Sequence, residues 1–473
     1  MLKRAKLLPI VVLVLGLACA QGQTNPTPEP GQDSSAASGP PQATAPAAST
    51  TSVPLVGIDD AGLQSQTVGS WYYKPLVYGL EQLGSNIEGG GGTAIGSITR
   101  GYGALELSRT WRHYGLSLGY LGGGTLYSAG SDKLQQAQHA AMQQEVNWNK
   151  GRLQAADVFS YLQQSGFGGL PFGGLGLFDL GIGNFLSLVS LTHFGLLNPS
   201  QFASFANTPR ISNVAIVEAD QQLSSRSSLT ALVSDGRLHF FSSGLLDDQQ
   251  NLAELGYNYQ LSNRSTIAVA GAYQVFGIGG VSSALSNEFA NVIYQRQVSR
   301  RLSFVAGGGP LWTTFSKVFS APGRQLSGMG LATVAYELRR SRLALNFLSY
   351  ENAGSGYLVG AHTNRVTLGV EHEFSRNWIG DMNAGYARST ALEQLTVLIF
   401  KLPVRSGFDS SYVNLHLTRQ LNEHLLAFAT YTLTDEKFDA ASTSCFTPTC
   451  GVNTKLQEGG VGLIWTPAAR RLP

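Results

Sequence analysis

The chain has 473 residues, of which only 13% are charged, and it carries 56 glycines, while its mean hydropathy is close to zero. A soluble protein of this size usually has about 25% charged residues, and a helical membrane protein shows apolar runs of about eighteen residues or more. The longest apolar run here spans 7–20, so the composition argues against both classes. The formal net charge of +2 predicts no nucleic-acid partner.

The N-terminus has the three parts of a secretory signal peptide, which we predict over 1–20. A basic segment ends at Lys6, an apolar core follows over 7–17, and Ala18-Cys19-Ala20 is an A-x-A-like cleavage site. Lipidation of Cys19 is an alternative, although the residue three positions earlier is not aliphatic as in a lipoprotein signal.

The segment 21–55 consists almost wholly of Gln, Pro, Ala, Ser, Thr and Gly. Such a composition cannot bury enough apolar surface to order the chain. We therefore predict a disordered linker in the periplasm, ahead of a single β-domain over 56–473.

The rest of the chain repeats one pattern, in which a strand, a short polar turn and a second strand follow each other. Long segments rich in Gly, Ser and Asp separate these hairpins. The six clearest turns are Ser225-Arg226-Ser227, Asn263-Arg264, Arg300-Arg301, Arg339-Arg340-Ser341-Arg342, Ser375-Arg376-Asn377 and Asn422-Glu423-His424. Short turns at one end and long loops at the other are typical of a transmembrane antiparallel up-and-down β-barrel.

Counting the strands predicts the size of the barrel. Eight hairpins, a final strand over 456–465 and an opening strand over 76–83 give about eighteen strands, with sixteen as the alternative, because single-chain bacterial barrels have an even number. The segment 134–146 could instead form an amphipathic helix, since Gln and Ala favour helix. The hairpins are predicted at 102–111 with 114–120, 138–148 with 152–162, 211–223 with 228–240, 251–261 with 265–276, 288–298 with 302–315, 326–338 with 343–350, 364–374 with 378–387, and 411–421 with 425–434.

Residues alternate between apolar and polar along these strands, so that each strand has two different faces. In a membrane barrel the apolar face contacts lipid and the polar face lines the lumen, whereas a soluble sandwich reverses this. Predicted strands of ten to thirteen residues favour the membrane, and aromatic residues near strand ends fit interfacial girdles. The candidate lumen residues are Glu254, Asn258, Gln260, Glu371, Glu373, Asn414 and His416.

The last predicted strand reads Glu458-Gly459-Gly460-Val461-Gly462-Leu463-Ile464-Trp465. This is similar to the C-terminal strand of Gram-negative outer-membrane β-barrels, which reads polar-x-Gly-x-x-apolar-x-apolar. The resemblance implies a porin-like barrel that the barrel assembly machinery recognises, with Gly460, Leu463 and Trp465 in the assembly signal. The chain departs from that family because residues 466–473 follow the aromatic residue.

Two loops carry further predictions. The segment 165–199 is rich in Gly and strongly apolar, and it lies on the long-loop side. It could fold into the lumen as a constriction, cover the barrel mouth or contact a partner, or lie on the lipid. In the loop over 442–452, Cys445 and Cys450 could close a small disulfide in an oxidising compartment, or remain two thiols.

Enzyme chemistry and metal binding find little support in the sequence. The alternation places His372 on the opposite face from Glu371 and Glu373, so one strand cannot converge all three on an ion. The Gly-rich stretches lack the strand and helix that flank a phosphate-binding loop, and no nucleophile lies beside an obvious base. We therefore predict neither an enzyme nor a cofactor.

The sequence predicts an integral protein of the cell outer membrane that forms a pore for small solutes, narrowed by the segment 165–199. The alternatives are a barrel whose long loops bind a partner or polysaccharide, and a transporter of hydrophobic cargo. The predicted partners are outer-membrane lipid, the barrel assembly machinery and an unknown small solute, and an oligomer is possible.

Overall fold

The computed structural model describes residues 71–85, 95–128, 134–162, 209–241, 246–279, 281–316, 323–354, 358, 360–392, 396–397, 400–401, 407–439, 453–467 and 470–471. Several predictions lie outside these residues: the signal peptide, the linker, the apolar segment 165–199, and the pair Cys445 and Cys450. Within the described part of the chain, no helix is long and apolar enough to cross a membrane.

Eighteen long strands form one antiparallel sheet that closes into a barrel. The strands are β1 (Trp71–Ser85), β2 (Ile95–Thr110), β3 (Tyr114–Tyr127), β4 (Leu134–Trp148), β5 (Gly151–Leu162), β6 (Arg210–Ser224), β7 (Ser227–Phe240), β8 (Asp248–Ser262), β9 (Ser265–Ile278), β10 (Val281–Gln297), β11 (Leu302–Phe315), β12 (Arg324–Glu337), β13 (Ser341–Asn352), β14 (Ala361–Ser375), β15 (Trp378–Ala391), β16 (Gly407–Gln420), β17 (Leu425–Phe438) and β18 (Thr454–Trp465). The predicted count of eighteen is confirmed and sixteen is wrong. The helix considered over 134–146 is also wrong, since β4 is a strand throughout.

Each strand pairs with its neighbours in the sequence, and the last strand pairs with the first. The closing register runs from Val77 opposite Trp465 to Ser85 opposite Gln457. Beside this seam, the two-residue strand Arg470–Arg471 pairs with Tyr72 and Tyr73. A separate two-residue pair joins Thr396–Val397 to Phe400–Lys401 between β15 and β16.

Five of the short turns share a side-chain hydrogen bond that explains their sequence. A Ser or Asn oxygen accepts a hydrogen bond from the backbone N–H two residues later, a geometry that these residues favour. The bonds are Ser224 Oγ to Arg226 N at 3.2 Å, Ser262 Oγ to Arg264 N at 3.2 Å, Ser299 Oγ to Arg301 N at 3.2 Å, Ser375 Oγ to Asn377 N at 3.4 Å, and Asn422 Oδ1 to His424 N at 2.8 Å. The repeated turn motif therefore sets one end of the barrel.

The outer face of the barrel carries large exposed apolar side chains, as in β8, where Leu255, Tyr257 and Leu261 are exposed. Near the short-turn end, this face also carries exposed aromatic residues. Arg109 lies over the ring of Trp111 at 4.6 Å, and Arg419 lies over that of Trp378 at 5.3 Å. An apolar band with aromatic residues and cations at its edge suits the boundary between hydrocarbon and headgroups.

At the long-loop end, the outer face becomes charged. Ion pairs join Arg237 to Asp235 at 3.0 Å and Arg324 to Glu288 at 2.9 Å, and Arg388 contacts Asp409 at 3.0 Å. Charged side chains on the outer wall need water or headgroups around them. The strands therefore extend beyond the apolar band at this end.

Candidate functional site

The inner face of the barrel is the candidate functional surface. Successive side chains of a strand point to opposite faces of the sheet, and because the sheet is closed, one of these faces lines the interior. Along β8, Leu252, Glu254 and Asn258 are buried, whereas Leu255 and Tyr257 between them are exposed. The buried set forms the inner face.

Of the candidate lumen residues, Glu254, Asn258 and Gln260 follow each other on the inner face of β8. Glu254 and Asn258 are buried, and the amide of Asn258 donates a hydrogen bond to Thr230 Oγ1 on β7 at 3.3 Å. Gln260 is partly exposed at the short-turn end of the strand.

Glu371 and His416 belong to one row of residues that cross the inner wall from β12 to β16. In this row each residue stands directly opposite the next, in the order Glu337, Arg342, Glu371, Asp381 and His416. His416 Nδ1 lies 3.0 Å from Asp381 Oδ2, which fixes the imidazole against β15. The sequence pattern predicted two members of this row, and strand pairing adds the other three.

The remaining candidates lie elsewhere on the same wall. Asn414 is buried on β16, one inward position from His416, and stands opposite Asn383 and Thr432. Glu373 is exposed beside the turn that ends β14. His372 lies on the outer face, where its Nδ1 is 2.7 Å from Ser341 Oγ, so the three consecutive residues Glu371, His372 and Glu373 do not converge.

A charged cluster on β5–β8 was not predicted from the sequence. The guanidinium of Arg152 donates to Asp220 Oδ2 at 2.8 Å and to Glu218 Oε1 at 3.3 Å. The hydroxyl of Thr230 donates to Asp220 Oδ1 at 2.6 Å. The signal was present, since Glu218 and Asp220 alternate with Val217 and Ala219 along the strand, but the pairing with β5 was needed to bring Arg152 to them.

A second unpredicted contact lies at the closing seam. Arg100 on β2 reaches over β1 to Glu458 on β18, with N–O distances of 3.4 Å, and both side chains are almost completely buried. Beside this pair, the ring of Tyr78 stacks on Phe428 with centroids 5.4 Å apart. The seam therefore combines one matched ion pair with aromatic packing.

The inner wall is less polar than the alternation predicts. On β1 the buried inward residues are Leu76, Tyr78 and Leu80, while Glu81 faces outward. A larger apolar cluster runs along β4–β13 and includes Ile216, Leu232 and Leu252. The rule that polar residues face the lumen therefore fails at these positions, and the inner wall alternates between charged and apolar areas.

The residues of the predicted assembly signal divide between the two faces of β18. Gly460 lies on the inner face, whereas Leu463 and Trp465 are exposed on the outer face. A Cβ atom at Gly460 would overlap the carbonyl oxygen of Glu81, so the close approach of β1 and β18 requires glycine there. Its role in recognition by the assembly machinery stays a prediction.

Known proteins are similar to this chain in fold but not in sequence. No protein-family model matches the chain, and no curated protein matches it either. Among solved structures, the outer membrane protein OpdK of Pseudomonas aeruginosa has 9% sequence identity and a TM-score of 0.42, with 85% of this chain and 99% of that chain covered.

Two further structures are similar to the same extent. Pseudomonas aeruginosa OccK2 (OpdF), solved in complex with glucuronate, has 11% identity and a TM-score of 0.44, covering 86% of this chain and 100% of its own. A BenF-like porin from Pseudomonas fluorescens Pf-5 has 10% identity and a TM-score of 0.42, with 86% of this chain and 100% of the porin covered. The chain is thus similar to outer-membrane β-barrels whose sequences differ widely from its own.

Proposed function

We propose that this protein is an integral outer-membrane channel that passes small solutes. The observation that carries the proposal is a closed eighteen-strand barrel with an apolar outer band and a partly charged inner wall. Barrels of about sixteen to eighteen strands leave a lumen that their own side chains cannot fill. Charged side chains on the inner wall are stable where a membrane barrel holds water.

Selective passage fits the inner wall better than free diffusion. Glu218 and Gln154 on this wall are each only 1% exposed, so open solvent does not surround them, whereas Arg342 and Glu371 in the inner row remain at least partly exposed. A solute that passes this row would contact fixed charges, and these discriminate between solutes. In the full proposal, the signal peptide directs the chain to the envelope, the linker remains in the periplasm, and the segment 165–199 narrows the pore.

Single-channel conductance of the purified full chain in a planar bilayer tests the channel proposal. We expect discrete current steps from the refolded barrel, and larger steps after deletion of residues 165–199. Folded protein that gives no steps with or without the segment would contradict the channel. Steps that do not change on deletion would contradict the narrowing alone.

Passage of hydrophobic cargo is a second candidate, because apolar residues such as Leu76, Leu80 and Leu232 lie on the inner face. Cells that depend on an external long-chain fatty acid would grow faster when they make the protein if this candidate is correct. Growth equal to that of cells without the protein would contradict it.

A further inference from the structure

We infer that the end of the barrel formed by the short turns binds the headgroups of anionic phospholipids in the leaflet around it. The inference goes beyond the proposed channel, because it concerns the outer rim of the barrel and not its interior. Three observations support it: the turns carry exposed cations without ion pairs, an exposed apolar residue precedes most of these cations, and the opposite end of the barrel holds its charges in ion pairs.

The first observation is a ring of basic residues in the turns. Seven of the eight short turns contain at least one Lys or Arg, and the eighth carries Glu423 instead. All nine of these turn cations are exposed. They are Arg112, Lys150, Arg226, Arg264 and Arg376, with the pairs Arg300–Arg301 and Arg339–Arg340. The turn end is therefore strongly positive, although the whole chain has a net charge of only +2.

The turn cations are not used by the fold. Among the described residues, none of them forms an ion pair. The turn hydrogen bonds at Arg226, Arg264 and Arg301 use the backbone N–H and not the guanidinium. Glu337 and Glu373 lie beside two of the turns, but they stand on the inner face of the barrel. The turn cations therefore remain available to negative groups outside the protein.

The second observation places the turn cations at the boundary of the membrane. In six of the turns, a large exposed side chain of the outer face stands within three positions before a cation. These side chains are Trp148, Leu223, Leu261, Val298, Leu338 and Phe374. Apolar side chains on the outer wall of a membrane barrel contact hydrocarbon, while Lys and Arg extend toward the headgroups. The chain therefore passes from the hydrocarbon to the headgroup level within these few residues.

The third observation is the contrast with the long-loop end of the barrel. On the outer wall there, a carboxylate lies 2.9 or 3.0 Å from the basic group of each of four residues. These four are Arg237, Arg324, Arg388 and Lys437. Their charges are balanced within the protein, whereas those of the turn cations are not. The turn end should therefore attract anionic lipid more strongly than the long-loop end does.

The phosphate of a lipid headgroup fits the turn cations. Guanidinium and ammonium groups form strong charged hydrogen bonds with phosphate oxygens, and basic residues at a membrane surface attract anionic lipids. A zwitterionic lipid carries a cation in its own headgroup, so it should gain less from the same residues. The short turns of bacterial outer-membrane barrels face the periplasm, and the bound lipid would then belong to the periplasmic leaflet.

The test compares two lipids with the same brominated acyl chains, namely phosphatidylglycerol, which is anionic, and phosphatidylcholine, which is zwitterionic. The refolded full chain is placed in phosphatidylcholine vesicles that contain a small fraction of either brominated lipid. Bromine quenches the fluorescence of the tryptophans that it contacts. Five of the six tryptophans lie at the turn end, namely Trp71, Trp111, Trp148, Trp378 and Trp465. Quenching therefore reports mainly on the lipids around this end.

We expect phosphatidylglycerol to be preferred over phosphatidylcholine about fivefold in roughly 0.01 M salt, since each basic residue at a membrane surface adds to the attraction. In about 1 M salt, where charges are screened beyond about 3 Å, the preference should nearly disappear. Equal quenching by the two lipids at low salt would overturn the inference, and so would a preference that salt does not reduce.

Two variants with the same change in net charge locate the lipid site. The turn variant combines Arg226→Gln, Arg264→Gln, Arg301→Gln and Arg340→Gln. The control variant replaces by Gln the four basic residues that form ion pairs at the long-loop end. We expect the turn variant to lower the preference for phosphatidylglycerol to about twofold or less, and the control variant to keep it. The salt series on the parent protein keeps the test valid if either variant does not fold.

Two further outcomes would overturn the lipid site. An equal loss of preference in the turn variant and the control variant would mean that only the net charge of the protein matters. The turn cations could instead serve an acidic soluble partner in the periplasm. Binding of polyglutamate to the parent protein in detergent, together with equal quenching by the two lipids, would assign them to such a partner.

Discussion

Two parts of the inner wall carry buried charges but arrange them differently. At the closing seam, Arg100 and Glu458 form a single pair whose side chains are 3% and 4% exposed. On β5–β8, Arg152 is shared between Glu218 and Asp220, with Glu254 on the same wall. One arginine meets one carboxylate at the seam, whereas one arginine contacts two carboxylates on β5–β8.

The two arrangements differ in how many strands each one joins. At the seam, one buried ion pair flanked by stacked rings joins the first and last strands of the barrel, so its composition suits closure. On β5–β8, hydrogen bonds from Arg152 and Thr230 join β5, β6 and β7 into one network. Changes at the seam should therefore affect closure of the barrel, and changes on β5–β8 should affect the packing of those strands.

The largest effects are expected at the seam, and Gly460→Ala produces one of them. The added methyl would overlap the carbonyl oxygen of Glu81, and relief requires the backbones of β1 and β18 to separate. We expect a loss of about 3 kcal/mol or more in the free energy of unfolding, at the upper end for overpacking. Refolding from urea into detergent measures it without the assembly machinery.

Gly459→Ala is the matched control for that substitution. The added methyl at Gly459 would have its nearest neighbour, an atom of the Tyr431 ring, at 3.6 Å, which is ordinary contact. We expect this variant to fold like the parent. Equal behaviour of the two variants would contradict the assignment of Gly460 to a tight seam.

The sequence predicted the barrel well because its signals are local. The Ser-x-Arg turns at Arg226 and Arg264 and the alternation in β8 lie within a few residues of each other. They determine the hairpins, and the hairpins with the even-number rule give the strand count. For the same reason Glu254, Asn258 and Glu371 could be assigned to the polar face.

The contacts of the wall could not be predicted because they depend on register between distant strands. Arg100 and Glu458 are 358 positions apart, and Arg152 and Asp220 are 68 apart across a long loop. The inward apolar residues Leu76 and Leu80 also break the polar-inside rule. A single strand carries no information about which residue will stand opposite it.

An effect of comparable size is expected from Arg100→Met. It leaves the Glu458 carboxylate buried without its cation, which typically costs about 3–5 kcal/mol. Arg324→Met removes a partner from an exposed pair whose side chains are 58% and 55% exposed, and exposed pairs contribute about 0–1 kcal/mol. Urea unfolding of both variants in the same detergent gives the comparison.

A double variant sharpens the result at the seam. Replacing both Arg100 and Glu458 by Met removes the uncompensated charge, so much of the stability lost in Arg100→Met should return. If the free energy of unfolding of the double variant is lower than that of Arg100→Met, the two side chains stabilise the seam by more than mutual neutralisation of their charges. If Arg100→Met lowers the free energy of unfolding no more than Arg324→Met does, the expectation that the buried pair contributes more than the exposed pair is contradicted.

The smallest effect is expected from Glu371→Gln, which neutralises one carboxylate in the inner row from Glu337 to His416. Glu371 stands between Arg342 and Asp381 in the register. One charge beside a water-filled path changes the energy of a passing ion by about 1 kcal/mol, or roughly fivefold in preference at most. The reversal potential in a potassium chloride gradient should therefore move toward anions. Glu288→Gln on the outer wall should leave the reversal potential unchanged. If Glu371→Gln and Glu288→Gln moved the reversal potential equally, the inner row from Glu337 to His416 would not lie along the path of the ions, and the contrast between the inner and outer walls would fail.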